Sequence, residues 1–285
     1  MNQKHLTLGL IVIMMLLLFT LISSNYLTAQ TTPRIQIEPL NLKLEPYVAS
    51  KLSPEDRDLF ETLLNCYIES VWMYIYEKGY HNCFINELQP IIPDKKIVGR
   101  ARTMRYLPER PDVKAKIKGM QLNYVSASDT KPGEILVFDA GGDIRSAVTG
   151  DITTSLFAFN GGVGIICDGS LRDIPPIKKM GIQVFERAGQ ASSSIGIMSI
   201  DYQVPVKICN VTVIPGDIIL GDAHGILVIP KELAREVADK AKEFDTWENF
   251  LKTLILSGET VYDTETPDGR LKEKYQEYKQ KMMKK

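Results

Sequence analysis

Between Gly150 and Asp173 the chain reads GDITTSLFAFNGGVGIICDGSLRD, and this stretch constrains the fold more than any other. Gly150-Asp151-Ile152-Thr153 is a polar start to a helical run over Thr154–Asn160. Gly161-Gly162 turns the chain, and Val163–Cys167 is a short, unbroken apolar run, the pattern of a buried strand. That strand ends in Asp168-Gly169-Ser170-Leu171-Arg172-Asp173. In an α/β fold, ligands sit where helices begin and strands end, because backbone N–H groups and side chains are presented there. Asp151, Arg172 and Asp173 are therefore the candidates for a site that holds a divalent metal and an oxyacid.

The flanking chain supplies more strands than helices. Ser53-Pro54-Glu55-Asp56 is a helix start, with a cap, a proline in the first turn and acids at the positive end of the dipole. Leu59, Leu63, Leu64, Tyr67, Ile68, Val71, Trp72 and Ile75 keep helical spacing to Glu77, and Gly79 stops the helix. Ile97–Tyr106 reads as a strand whose Arg100, Arg102 and Arg105 are either solvated or anion-binding. Pro108–Gly119 reads as loop and Gln121–Val125 as a short apolar piece. Lys131–Gly141 is echoed by Ile214–Gly225: each has a Pro-Gly turn, an acid, a β-rich run and then Asp-Ala. The echo predicts two strands that enter one sheet alike, with Asp139 and Asp222 more suited to bonding turn backbone than to holding a ligand. Gln183–Arg187, Val204–Val213 and Ile226–Pro230 are strand-like, and Ala191–Ile197 is a loop. Lys231–Gly258 is one long amphipathic helix with a candidate break near Asp245-Thr246. Short strands, few helices and glycine turns fit an α/β class.

The ends lie apart from this pattern. Lys4 and His5 followed by apolar Leu6–Ile22 and a polar exit read as a signal peptide over 1–30, cleaved near Ala29. The apolar run also approaches the about 20 residues of a membrane anchor. Either way the remainder is expected outside the cytoplasm, periplasmic or extracellular, and anchored if uncleaved. Residues 31–52 read as a linker or surface strand, 53–260 as the folded domain, and 261–285 as a charged, solvated tail. Cys66, Cys83, Cys167 and Cys209 form no CxxC pair, which argues against zinc. Buried thiols are the expectation, with Cys66–Cys83 the best-placed disulfide in an oxidising compartment. A net charge of −1 without a basic stripe excludes nucleic acid as a partner.

No nucleophile elbow or phosphate loop is present, and His224 is the one histidine in a plausible site. Asp and Glu as candidate ligands imply Mg²⁺ or Mn²⁺ rather than zinc. An adjacent Arg-Asp pair then has a use: the Asp anchors the metal, and the Arg binds a carboxylate or keto oxygen and stabilises charge that develops there.

The segments Gly150–Thr153, Gly164–Asp173, Pro215–Asp217 and Asp222–Pro230, with Val98–Thr103, resemble the RraA-like family. That family includes the class II 4-hydroxy-4-methyl-2-oxoglutarate aldolases, oxaloacetate decarboxylases and the regulator of ribonuclease activity A. The resemblance runs over about Leu59–Gly258. It implies a β/β/α swivelling-type domain, here with an N-terminal helical segment and a long C-terminal helix, assembled as a trimer or a pair of trimers. It also implies a metal-dependent lyase on a small 2-keto acid that works through a pyruvate enolate. In that role Asp173 holds the metal, Asp151 holds metal-bound water, and Arg172 contacts substrate. The N–H groups of Gly150, Ile152 and Thr153 bind the substrate carboxylate. A Glu on the C-terminal helix of a neighbouring subunit, Glu248 or else Glu243, reaches the same site. The competing reading is an exported, non-catalytic binding or regulatory protein on the same fold.

Overall fold

A computed structural model describes residues 41–117, 122–262 and 265–282. The predicted signal peptide and the first part of the predicted linker, residues 31–40, lie outside the described residues. In chain order the elements are α1 (Pro46–Lys51), α2 (Pro54–Leu64), α3 (Ile68–Glu77), β1 (Phe84–Ile85), β2 (Gln89–Pro90) and β3 (Ile97–Pro108). Next come α4 (Pro111–Lys114), α5 (Leu122–Ser128), β4 (Glu134–Ala147), α6 (Asp151–Phe159), β5 (Gly164–Leu171), α7 (Ile174–Lys179) and β6 (Gln183–Gly189). The chain finishes with β7 (Ile197–Tyr202), β8 (Val206–Ile208), β9 (Val211–Val213), β10 (Ile218–Asp222), β11 (Gly225–Ile229), α8 (Ala234–Leu256) and α9 (Lys272–Met282).

One mixed, nine-stranded sheet in the order β1-β11-β10-β3-β4-β5-β6-β2, with β7 against β3, carries the fold. Strands β3 to β6 run parallel, joined by crossovers that carry α5, α6 and α7. The two faces are sorted by the period-two alternation of strand side chains. Leu136, Phe138, Ile165 and Val184 meet Phe157 of α6 and Ile177 of α7. Ile135, Val137, Ile166 and Phe185 meet Val206, Ile208, Val211 and Val213 of the β8–β9 hairpin. A third cluster buries Leu63, Val71 and Val237 of α2, α3 and α8 over Leu220 and Leu227. The α/β class holds: β5, expected as an unbroken buried run, is buried at every residue, as parallel strands covered on both faces require.

The two echoed segments become β4 and β10, and they flank β3 from either side. β4 runs parallel to it over Arg100–Arg105, and β10 antiparallel over Ile97–Arg100. The far part of β3, Met104–Pro108, pairs with β7. One strand thus bonds three neighbours along its length.

Five local expectations need correcting. The helix predicted over Pro54–Glu77 is two helices, parted at Asn65–Tyr67. There Asp245 of α8 accepts the Tyr67 N–H at 2.8 Å and, through its other oxygen, the Ser70 hydroxyl, so a partner from another element caps α3. For the same reason α8 has no break at Asp245-Thr246: the acid faces inward and is buried. Val204–Val213 is a hairpin, with Cys209 at φ 52° in its turn. The tail docks: Tyr275 of α9 is 2% exposed against Trp247, Phe250 and Leu254, its ring edge-on to Trp247 at 5.0 Å. Part of the predicted linker is α1, with Val48 buried. All four cysteines are buried free thiols.

Candidate functional site

Strands β4 and β5 lie side by side and parallel, so their last residues reach one rim of the sheet. Two backbone bonds hold the rim together, Val148 N–H to Ser170 O at 2.9 Å and Arg172 N–H to Thr149 O at 3.1 Å. From this rim Thr149-Gly150 leads into α6, and Arg172-Asp173 leads into α7. Asp173 sits in the left-handed region at φ 60°, ψ 34°. That conformation is costly for a side chain other than glycine and persists only where surroundings enforce it. Here it turns the carboxylate back onto the start of α6.

The Asp173 carboxylate accepts from Arg172 Nε at 3.0 Å and from the Asp151 N–H at 3.3 Å. The guanidinium, in first place, and the Asp151 backbone hold the Asp173 carboxyl below its ordinary value. A Cβ on Gly150 would lie 2.4 Å from Asp173 Oδ2 and 3.0 Å from Arg172 Cγ. Glycine is therefore what lets the acid nest there. No side chain caps α6, so the N–H groups of Ile152 and Thr153 point from the helix start without an intrahelical acceptor.

These residues line one open cleft of about 390 Å³, with Thr149, Asn123, Tyr124, Ser193 and Ser194 completing its wall. Gly150, Asp151, Ile152, Thr153, Arg172 and Asp173 are thus together. Glu248 and Glu243 are not among the lining residues. They lie on α8, paired with Lys252 at 3.4 Å and Lys240 at 3.1 Å. Thr149, Asn123, Tyr124 and Ser193, neutral side chains outside any motif, were missed by sequence reasoning. Thr149 Oγ1 is buried and bonds no described residue.

Other candidates are spent on architecture. Asp168 is buried, paired with Arg187 and accepting the Cys209 N–H at 2.8 Å. Asp139 accepts the N–H groups of Gly141 and Lys207, each at 3.1 Å, and Asp222 accepts that of His224 at 2.8 Å. Arg102 is buried on Ser126 O at 2.8 Å. Arg100 pairs with Asp56, and Arg105 with Pro205 O. A larger groove of about 880 Å³ runs past Arg105, Asp139, Asp143, Arg145 and Lys207. Two of its arginines are engaged locally, Arg145 with Asp143 at 2.6 Å and Arg105 with Pro205 O.

The cleft fits a hard cation. Among the described residues no three Asp, Glu, His or Cys side chains form a ready cage. Asp173, ionised and nested against Gly150 with Asp151 beside it, gives an all-oxygen set of the size Mg²⁺ takes, since that ion keeps several waters and uses one or two carboxylates.

The RraA-like family model, Aldolase/RraA, matches residues 73–228, more than half of the chain. DlpA of Legionella pneumophila is 30% identical over 206 residues, 72% of this chain but 32% of DlpA, so the chain spans about a third of that relative's length. A protein of Halalkalibacterium halodurans, provisionally named a 4-hydroxy-4-methyl-2-oxoglutarate aldolase, is 34% identical over 158 residues, 55% of this chain and 70% of that one. Among solved structures, Streptomyces coelicolor RraAS2, described as an unusual member of the RNase ES inhibitor RraA protein family, superimposes with a TM-score of 0.63. It shares 26% identity and covers 69% of this chain and 97% of its own. With the family model over β3 to β11 and the same fold in RraAS2, the chain belongs to the RraA-like family.

Proposed function

We propose that the protein is a divalent-metal-dependent lyase. It cleaves a 2-keto acid by retro-aldol reaction of the 4-hydroxy-4-methyl-2-oxoglutarate type, and it decarboxylates oxaloacetate. The observation that carries this reading is the single cleft in which Asp173, nested on Gly150, meets Arg172 and the start of α6. The name of the Halalkalibacterium relative supports the same chemistry.

Asp173, with Asp151 beside it, would hold Mg²⁺ or Mn²⁺. When bound, such an ion supplies electron withdrawal from the keto group. The chain's own groups do the rest. The N–H groups of Ile152 and Thr153 receive the substrate carboxylate at the positive end of α6. Arg172 faces the C2 oxygen, where negative charge grows as the bond to C3 breaks, and a donor fixed in advance there lowers the barrier. Asp151 stands at the helix start to move the proton that C3 gains. Both reactions leave the same pyruvate enolate, so one arrangement serves both.

The reading extends to assembly and location. Ile152, 68% exposed at the cleft, and Phe159, 77% exposed at the far end of α6, support contact with another copy in a trimer or hexamer. Glu248, or else Glu243, would then come from that neighbour. Residues 1–30 support export.

The test is pyruvate release from oxaloacetate and from 4-hydroxy-4-methyl-2-oxoglutarate by the mature chain, with Mg²⁺ or Mn²⁺ against EDTA. Release should need the metal. Asp173→Ala should abolish it, and Arg172→Ala should lower kcat about 100-fold or more. Equal rates in EDTA would overturn the metal's part. No turnover of any keto acid would leave an RraA-like binding protein.

A further inference from the structure

We propose that Glu186, a residue of β6 outside the cleft wall, is the positioning residue of the Arg172-Asp173 pair and acts on it through the Leu171 N–H. The inference rests on the lyase reading for one of its two measurements, and deepens it with a residue that the reaction needs but never touches.

Parallel strands bond along an evenly spaced ladder. β5 and β6 keep in step from Gly164 with Gln183 to Cys167 with Glu186. The register then slips: Ser170 lies opposite Ala188, so Asp168 and Gly169 of β5 face Arg187 alone. One extra residue in β5, just before the rim, is the pattern of a bulge, which bends a strand and re-aims its side chains. A bulge also disrupts the ladder, and Leu171 shows where. Its carbonyl accepts the Gln190 N–H at 2.8 Å. Its N–H donates not to a backbone carbonyl but to Glu186 Oε2, at 2.8 Å. The residues on either side bond in the other direction, Ser170 O accepting from Val148 and the Arg172 N–H donating to Thr149 O. The N–H groups of the chain that delivers Arg172 are thus held from β4 by backbone and from β6 by one carboxylate.

Glu186 also meets the far side of the pair. A Cβ added to Gly189 would lie 3.8 Å from Glu186 Oε1 and 3.6 Å from Ile174 Cγ1. The carboxylate and the residue after Asp173 therefore wall the same spot, while Leu171 precedes the pair. Glu186 is 6% exposed. Burial, opposed by the Leu171 N–H, pushes its carboxyl above the ordinary value. Burying an acid is costly unless it is bonded, and a buried amide left without an acceptor is costly in turn. Two residues further on, Asp173 keeps its φ of 60° only while its surroundings enforce it. Freedom released at Leu171 would fall on that residue.

The experiment makes two measurements on the full mature chain. One is the Kd for Mn²⁺, from the free ion remaining in a titration, read by electron paramagnetic resonance. The other is kcat for oxaloacetate decarboxylation at saturating Mn²⁺. Glu186→Met keeps the bulk and removes the acceptor, and Glu186→Gln keeps the acceptor and removes the charge. In the Met variant Kd should rise and kcat should fall, each about tenfold, and the Gln variant should restore both. In an Arg172→Ala background the Met substitution should lower kcat no further, because both changes act through one group. A side chain that served stability alone would lower the urea midpoint and leave Kd and kcat of the folded protein unchanged. That result overturns the proposal, and so does a Gln variant as impaired as the Met variant. If the Met variant fails to fold, Glu186→Asp replaces it, its carboxylate one methylene short of the amide. A folded Asp variant with wild-type Kd and kcat likewise overturns the proposal. Mn²⁺ binding that weakens in the Met variant, with no pyruvate released by the wild type, overturns the lyase reading and leaves the positioning role standing. A wild type that neither binds Mn²⁺ nor releases pyruvate overturns both.

Discussion

Gly150 has no side chain, and the Asp173 carboxylate occupies the space where one would be. Adding a single methyl group there, 2.4 Å from Oδ2, must push the acid or the Arg172 stem aside. Displacements near 1 Å at a reacting centre cost about 100-fold in rate. Gly150→Ala should therefore lower kcat/KM by about that factor while the thermal unfolding midpoint moves little, because the strain falls on an open cleft and not on the core. Pyruvate release and a melting curve on the same sample check both halves. A variant with wild-type kinetics would show that the nest is decorative. At this scale the motif residues were legible: Gly150, Asp151, Arg172 and Asp173 are polar groups at a helix start and a strand end. Asn123, Tyr124, Thr149 and Ser193 were not, since neutral side chains from separate loops acquire meaning only when the rim brings them together.

The N-terminus of α3 shows how one element is finished by another. Its Tyr67 N–H and Ser70 hydroxyl are both satisfied by Asp245, which α8 delivers from far along the chain. The apolar spacing from Leu59 to Ile75 runs straight through this point, so periodicity alone predicted one helix where there are two. The same acid looked like a break in α8 because its inward position could not be seen locally. Burial, the dominant cause, pushes the Asp245 carboxyl above its ordinary value despite the bonds from Ser70 and Tyr67. A carboxyl raised in the folded state keeps a proton that the unfolded chain has lost. Stability must therefore decline as pH rises from the ordinary carboxylate value through the raised one. Asp245→Asn retains an acceptor for Tyr67 and carries no charge. Urea midpoints measured at successive pH should lose that decline in the variant, and a decline of unaltered size would assign it to another buried acid.

For the whole molecule, the parallel core was readable because strands buried on both faces leave unbroken apolar runs, as in Val163–Cys167, and the Pro-Gly echo announced two strands entering one sheet. What the echo could not reveal was that β4 and β10 would arrive on opposite sides of β3, one parallel and one antiparallel. Nor did charge along the tail reveal Tyr275 and Leu271, the residues that return α9 to the body. Because β3 gives its first residues to β10, its middle to β4 and its last to β7, no neighbour can peel away without the others still gripping it. Its amides should then exchange with deuterium only when the entire chain opens. In a native-state labelling experiment Val98–Tyr106 should retain protons after the edge strands β1 and β2 have lost theirs, and early exchange along β3 would mean that the sheet comes apart at its middle. The last part of the molecule to let go would be the strand that every half of the sheet shares.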